Sequence, residues 1–547
     1  MENMNNQFFE DKLRNSFPAW ENVPQETKIE ITNYKPVYLL DGKVRDWTGQ
    51  LNEVSSPVCI NQNGLIKRLI IGHVPSMGEA AAMEGLQAAV RAWDNGRGEW
   101  PTMSVQGRIS AVEKFVVRMR MVREEVVKLL IWEIGKSTDD SYKEFDRTVE
   151  YIVKTIEALK EMDRNNSRFS LDDGIIAQVR RSPLGVCLSM GPFNYPLNET
   201  YTTLIPALIM GNTLVVKPPK FGILLHQPLL AAFAECFPKG AVNFIYGNGT
   251  NIIPPIMKSG LIDVLAFIGS SRVADNLKRQ HPRPHRMRCI LGLDAKNPAL
   301  VMPDADIDLA IRECVTGSLA FNGQRCTGLK LLFVHKSITK QFITKLSAAI
   351  DALPQGMPWE RGVKLTPLPE FNKATTLKAY VDDAIAKGAK IMNEGGGVFY
   401  ETLYRPAIVY PVSPDASLYD IEQFGPVVPV CSYSDEQEFL DFVTKSNYGQ
   451  QLSLFGKNPE IIARLIDQLT NQVCRININS QCQRGPDTLP FTGRKDSAEA
   501  TLSISDALRC FSIRSLVATQ ANENSKDLVQ QIVLGRHSSF LNTDFIL

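Results

Sequence analysis

Residues 175–220 read IIAQVRRSPLGVCLSMGPFNYPLNETYTTLIPALIMGNTLVVKPPK, and the fold is decided in this stretch. The first part alternates and is rich in β-branched residues, which predicts strands. A helix is expected around Leu197–Met210, then a tight Gly-Asn turn and the strand TLVVK, ending at Pro218. Working outward, a helix around Leu224–Cys236 leads to the strand AVNFIYG, and a further helix leads to VLAFIG. Strands that alternate with helices imply a mostly parallel sheet covered on both faces. A second succession of the same kind runs from about Ala299 to Gly456, with the boundary near Gly292–Lys296. Upstream, AAAMEGLQAAVRAW and RISAVEKFVVRMRMVREEVVKLLIWEIG carry apolar residues at helical spacing.

The whole chain fits this α/β reading. It has 547 residues, 44% hydrophobic and 22% charged, with a formal net charge of +1. Those values exclude disordered and fibrous classes and predict more than one structural unit. A balance so close to neutral offers no electrostatic footprint for nucleic acid or a membrane surface. The N-terminal MENMNNQFFEDKLRNSF lacks the basic start and apolar run of a secretory signal, and no window has the apolar length of a membrane span. Ten cysteines lie scattered without framework spacing, which predicts reduced thiols and a cytoplasmic location.

Five segments carry residues suited to chemistry. FNGQRCTG (321–328) sets Cys326 beside Arg325 between glycines, where a cation lowers a thiol pKa and small neighbours admit a substrate. Alone, such a cysteine is more often a small buried hydrophobe. GPFNYP (191–196) lies between strand and helix and can hold the Asn194 amide as a fixed donor, where the plain alternative is a turn asparagine. GNTLVVKPPK (211–220) puts Lys217 at the C-terminal end of a strand, where open parallel sheets bind ligands. EQFGPVVPV (422–430) and INSQCQRGPDTLPFTGRKDS (478–497) are too rich in special residues for plain connectors.

In this order, these segments resemble the aldehyde dehydrogenase superfamily over roughly residues 60–515. KPPK and CQRGPDTLPF are most similar to its NADP-dependent, non-phosphorylating glyceraldehyde-3-phosphate dehydrogenases. The resemblance implies a Rossmann-like parallel-sheet cofactor domain (61–165 and 184–294) and an α/β catalytic domain (295–508). It further implies oligomerisation strands (166–183 and 509–519) between an N-terminal extension (1–60) and a C-terminal one (520–547). Pairing of those strands across subunits implies a homodimer or homotetramer. Cys326 would attack an aldehyde as a thiolate, with the oxyanion held by Asn194 and the Cys326 N–H. Hydride would pass to the nicotinamide and leave a thioester. Lys217 would bind the adenosine ribose, Ser270 the pyrophosphate, and Glu422 with Phe424 the nicotinamide ribose. Lys220 stands where NAD-preferring members often carry glutamate, so NADP is favoured over NAD. Arg147, Tyr195, Arg325 and Arg484 match the phosphate-binding set, implying a small phosphorylated aldehyde as substrate.

One motif departs from the pattern. The family expects Glu-Leu-Gly-Gly-Lys before the Asn-Pro pair, whereas this chain reads GLDAKNP (292–298). Gly292 therefore stands at the position of the general base for deacylation. Three outcomes follow: Asp294 or Glu499 substitutes; an acceptor such as coenzyme A or phosphate takes the acyl group; or the chain binds cofactor with little turnover, as a regulatory protein on the same scaffold. HPRPHRMRC (281–289) offers His281, His285 and Cys289, but its prolines break a helix and no fourth ligand is apparent, so no metal site is expected.

Overall fold

The computed structural model describes residues 2–30 and 34–545. Two parallel sheets organise them. The first has five parallel strands at its centre, in the order Val242–Phe244, Thr213–Lys217, Val186–Met190, Val264–Ile268, Arg288–Gly292. Short antiparallel strands extend it: Val37–Leu40 and Lys43–Asp46 on one edge, Ala498–Glu499 on the other. The second sheet has seven strands, with Pro298–Val301 paired in parallel between Leu331–His335 and Gln451–Phe455. The α/β architecture with helices on both faces is as expected from sequence.

The stretch at 175–220 splits where the periodicity changes. Ile175–Pro183 is a half-exposed strand outside the main sheets, paired with Phe169–Asp172 and Ser512–Gln520 in a projecting three-stranded arm. Val186–Met190 does not alternate in burial, because helices cover both faces of a central parallel strand and every residue is buried. The helix is Asn198–Ile209, buried along its whole length, and the next strand is Thr213–Lys217.

After Ser515 the arm strand runs on to Gln520. A helix over Glu523–Leu534 follows the arm strand. The chain then returns to the arm: Arg180 donates to the carbonyls of Phe540 and Asn542, and Gln178 donates to Asn542 O. Among the described residues no helix is long and apolar enough to cross a membrane, and all ten cysteines are unpaired.

Sheet register fixes the position of the cleft. Met190 pairs with Lys217, Phe267 with Met190, and Ile268 with Gly292. The residues that follow these strands emerge along one edge, the C-terminal edge where open α/β sheets bind ligands. The second sheet delivers the cysteine loop to the same edge.

Candidate active site

A cavity of about 1260 Å³ runs along this edge and is lined from both sheets. All twelve residues singled out from sequence for the site border it: Cys326, Asn194, Gly292, Lys217, Lys220, Ser270, Glu422, Phe424, Arg147, Tyr195, Arg325 and Arg484.

The cysteine loop is tied at several points. Phe321 and Asn322 both take positive φ, at 48° and 55°, an uncommon conformation that surrounding bonds must hold. Asn194 Nδ2 donates to Gln324 O at 2.8 Å, joining the asparagine turn to the residue two before the nucleophile. Asn297 Nδ2 donates to Cys326 O at 2.8 Å, and Lys330 Nζ donates to Gly323 O at 2.7 Å. Burial pushes the Cys326 thiol up to about 11, and the charges of Glu199 and Glu422 push the same way. This corrects the expectation that the adjacent arginine lowers the thiol pKa. The Arg325 guanidinium is turned toward Cys482 O, at 3.1 Å, and Thr327 Oγ1, at 3.3 Å.

The turn that holds Asn194 rests on a buried ion pair. Lys136 and Glu144 meet with both side chains wholly enclosed. Lys136 Nζ also donates to Asn194 O at 2.8 Å, and its ammonium lies 3.7 Å from the Tyr195 ring centroid. Glu144 Oε1 accepts from the N–H groups of Leu197 and Asn198, both at 3.1 Å, at the start of the following helix. One pair thus anchors both ends of the turn. Neither residue was singled out from sequence, where each reads as an ordinary helical charge.

Lys217 and Lys220 border the cavity together. Burial pushes the Lys217 ammonium down to about 8, and the nearby Lys220 charge adds to the effect. Glu422 is held by Lys330 at 3.7 Å and accepts the Ala295 N–H at 3.3 Å. Burial pushes Glu422 up and Lys330 down. Its Oε1 is buried without a hydrogen-bond partner, an acceptor suited to a ribose hydroxyl. Lys296 braces the loop by donating to Ile421 O at 2.7 Å and Gln423 Oε1 at 2.8 Å.

Two of the cavity's arginines, Arg147 and Arg484, are paired with carboxylates. Arg147 makes a two-point bond to Asp487, at 2.7 and 3.0 Å. Arg484 lies 3.3 Å from Asp487 and pairs closely with Glu199. Burial acts to raise the Asp487 carboxyl, but its hydrogen bonds from Arg147 and the Arg484 charge hold it below the usual range. The result is a chain of alternating charge, Arg147–Asp487–Arg484–Glu199. Glu199 was not singled out from sequence; the available signal was a lone carboxylate in a helix otherwise without charge.

The two substitutes weighed for the base at Gly292 are engaged elsewhere. Asp294 Oδ2 accepts from the Ser271 N–H at 2.8 Å and Oγ at 2.9 Å, at the start of the helix Ser271–Gln280. Glu499 lies on the strand beside Leu291 and Gly292, but turns outward to Lys278 at 2.7 Å. Gly292 itself is not a conformational requirement: a Cβ there would meet Leu502 and Ile268 at 3.4 and 3.5 Å, ordinary contact distances.

The sequence model described as "Aldehyde dehydrogenase family" matches residues 62–515. The chain belongs to the aldehyde dehydrogenase family. A curated relative named NADP-dependent glyceraldehyde-3-phosphate dehydrogenase, from Streptococcus equinus, is 32% identical over 437 residues, covering 78% of this chain and 88% of the relative. One of the same name from Arabidopsis thaliana is 28% identical over 441 residues, covering 79% and 86%. Among solved structures, the NADP-dependent glyceraldehyde-3-phosphate dehydrogenase of Bacillus halodurans C-125, complexed with NADP, superposes with a TM-score of 0.82 at 26% identity. That superposition covers 90% of this chain and 100% of the other.

Proposed function

We propose that this aldehyde dehydrogenase oxidises a small anionic aldehyde, glyceraldehyde 3-phosphate, with NADP, through a thioester on Cys326. The observation that carries the reading is one cavity that Cys326 and Asn194 border together with Lys217, Lys220 and the three arginines Arg147, Arg325 and Arg484. The relatives' names support the same substrate and cofactor. NADP, when bound, supplies the hydride acceptor. Lys217 and Lys220 fit its phosphorylated adenosine end, Ser270 its pyrophosphate, and Glu422 with Phe424 its nicotinamide ribose. Cys326 Sγ adds to the aldehyde carbon while Asn194 Nδ2 and the Cys326 N–H stabilise the developing oxyanion. Arg147, Tyr195, Arg325 and Arg484 receive the substrate's anionic end. Deacylation is atypical because Gly292 stands in place of the general base.

The three-stranded arm supports assembly as a homodimer or homotetramer, since its outer strands carry exposed Leu171, Ile513 and Leu516. Ten unpaired cysteines support a reducing, cytoplasmic setting.

Rapid mixing with NADP and glyceraldehyde 3-phosphate tests the proposal. NADPH forms to about one equivalent per site in a first phase, before a slower phase limited by deacylation. No NADPH from this substrate, in a panel where another aldehyde reacts, sinks the substrate assignment.

Lys217 sets a pH limit on cofactor binding. In the free protein it loses its proton near pH 8. A bound anionic dinucleotide favours the ammonium and raises that pKa. Affinity is therefore full below pH 8 and weakens as pH rises through it, by up to about tenfold per unit. Fluorescence titration of NADP from pH 7 to 10 checks this. Lys217→Met gives a weaker but flat profile; an unchanged slope in that variant assigns the limb to another group.

A further inference from the structure

Water that adds to a thioester must lose a proton, and position 292 offers no group to take it. Four carboxylates border the cavity: Glu199, Asp294, Glu370 and Glu422. Asp294 is held at the start of a helix by two bonds to Ser271. Glu422 lies in the cofactor loop, bonded to Ala295 and paired with Lys330. Glu370 is 36% exposed and faces Lys373 at 3.5 Å. Glu199 differs from all three. It lies in the first turn of the helix that follows the Asn194 turn and is 8% exposed. It borders the same cavity as Cys326, and its charge is among those that push the Cys326 thiol up. Its partner is Arg484, one of the residues assigned to the substrate's anionic end.

We propose that Glu199 is the general base for deacylation, held on Arg484 in the resting site and released when the substrate's anion takes that guanidinium. The inference rests on the thioester reading above. As water oxygen bonds to the acyl carbon, one water proton passes to Glu199. The C–S bond then breaks and its electron pair returns to Cys326 as thiolate. The product leaves as a carboxylic acid, which gives its remaining proton to solvent. Arg484 thereby couples base activation to substrates that carry an anion, so an aldehyde without one acylates Cys326 but hydrolyses slowly.

The test compares phases of NADPH formation in water with no other acyl acceptor, on the full-length protein with NADP and glyceraldehyde 3-phosphate. Glu199→Gln is expected to keep a first phase of about one equivalent per site and to slow the steady phase by about 10²-fold, toward the low end for a positioned base. Intact-mass measurement then finds the acyl adduct accumulated on Cys326. Glu199→Asp, which keeps the carboxylate on a shorter stem, recovers part of the lost rate. Adding Gly292→Glu to Glu199→Gln restores the steady phase from the other wall, since that Cβ meets only ordinary contacts. A Glu199→Gln steady phase equal to the wild type overturns the proposal and leaves the thioester reading standing. So does a first phase slowed in proportion with no adduct, which assigns Glu199 to substrate binding alone. No NADPH and no Cys326 adduct in the wild-type protein sinks the thioester reading, and this inference with it.

Discussion

Cys326→Ala lowers aldehyde oxidation by roughly 10⁴-fold or more, toward the solution background, while NADP affinity stays within about twofold. The size follows from the mechanism. Without a sulfur to add to the carbonyl, no tetrahedral adduct forms, and the substrate cannot hand over a hydride while remaining bound to the protein. No neighbouring thiol substitutes. Cys482 is near in the fold, its carbonyl bonded to Arg325, but it is wholly buried and burial pushes its thiol up to about 12. NADPH absorbance measures the loss and cofactor fluorescence measures binding. Residual turnover within tenfold of wild type removes Cys326 from the mechanism. Loss of cofactor affinity in step with turnover shows instead that the substitution disturbed the loop.

Asn194→Ala lowers kcat by about 10²- to 10³-fold, the usual effect of removing one donor from a developing oxyanion. In the resting site the amide is spent on Gln324 O at 2.8 Å, so that bond is exchanged or shared as negative charge grows on the substrate oxygen. Alanine removes the donor but leaves the backbone bond from Lys136 to the carbonyl of residue 194 available. The turn should therefore hold, and the melting temperature is expected to fall by only a few degrees, as for about 1 kcal/mol. The discriminating observation is the ratio of effects. A kcat loss below tenfold, or an equal loss of cofactor affinity, rules out an oxyanion role.

Much of the fold and one wall of the site are legible in the sequence because they depend on local order. Strand and helix periods, the Gly-Asn turn before Thr213 and the strand-end position of Lys217 are all set by neighbours in the chain. The motif residues border one cavity because the first sheet brings C-terminal strand ends to it, while the second brings the loops that precede Leu331–His335 and Val427–Tyr433. Electrostatics was not legible in the same way. Arg325 is next to Cys326 in sequence, yet its guanidinium bonds to Cys482 O and Thr327, while Glu199, far away in the chain, acts on the sulfur. The arginines read as free cations until their partners are seen, because Asp487 and Glu199 meet them only in the folded chain. The bonds that engage Asp294 and Glu499 were hidden for a related reason: side-chain direction depends on which helix or lysine lies beside the strand.

The Lys136–Glu144 pair constrains how this chain can change. Exchanging either residue alone strands an enclosed charge, at a cost of about 3–5 kcal/mol. Replacing both with apolar residues avoids that cost but removes the bonds to Asn194 O and to two helix-start N–H groups. For descent or for library design the two positions behave as a single character, inherited or redesigned together, and the turn that holds Asn194 rides on it.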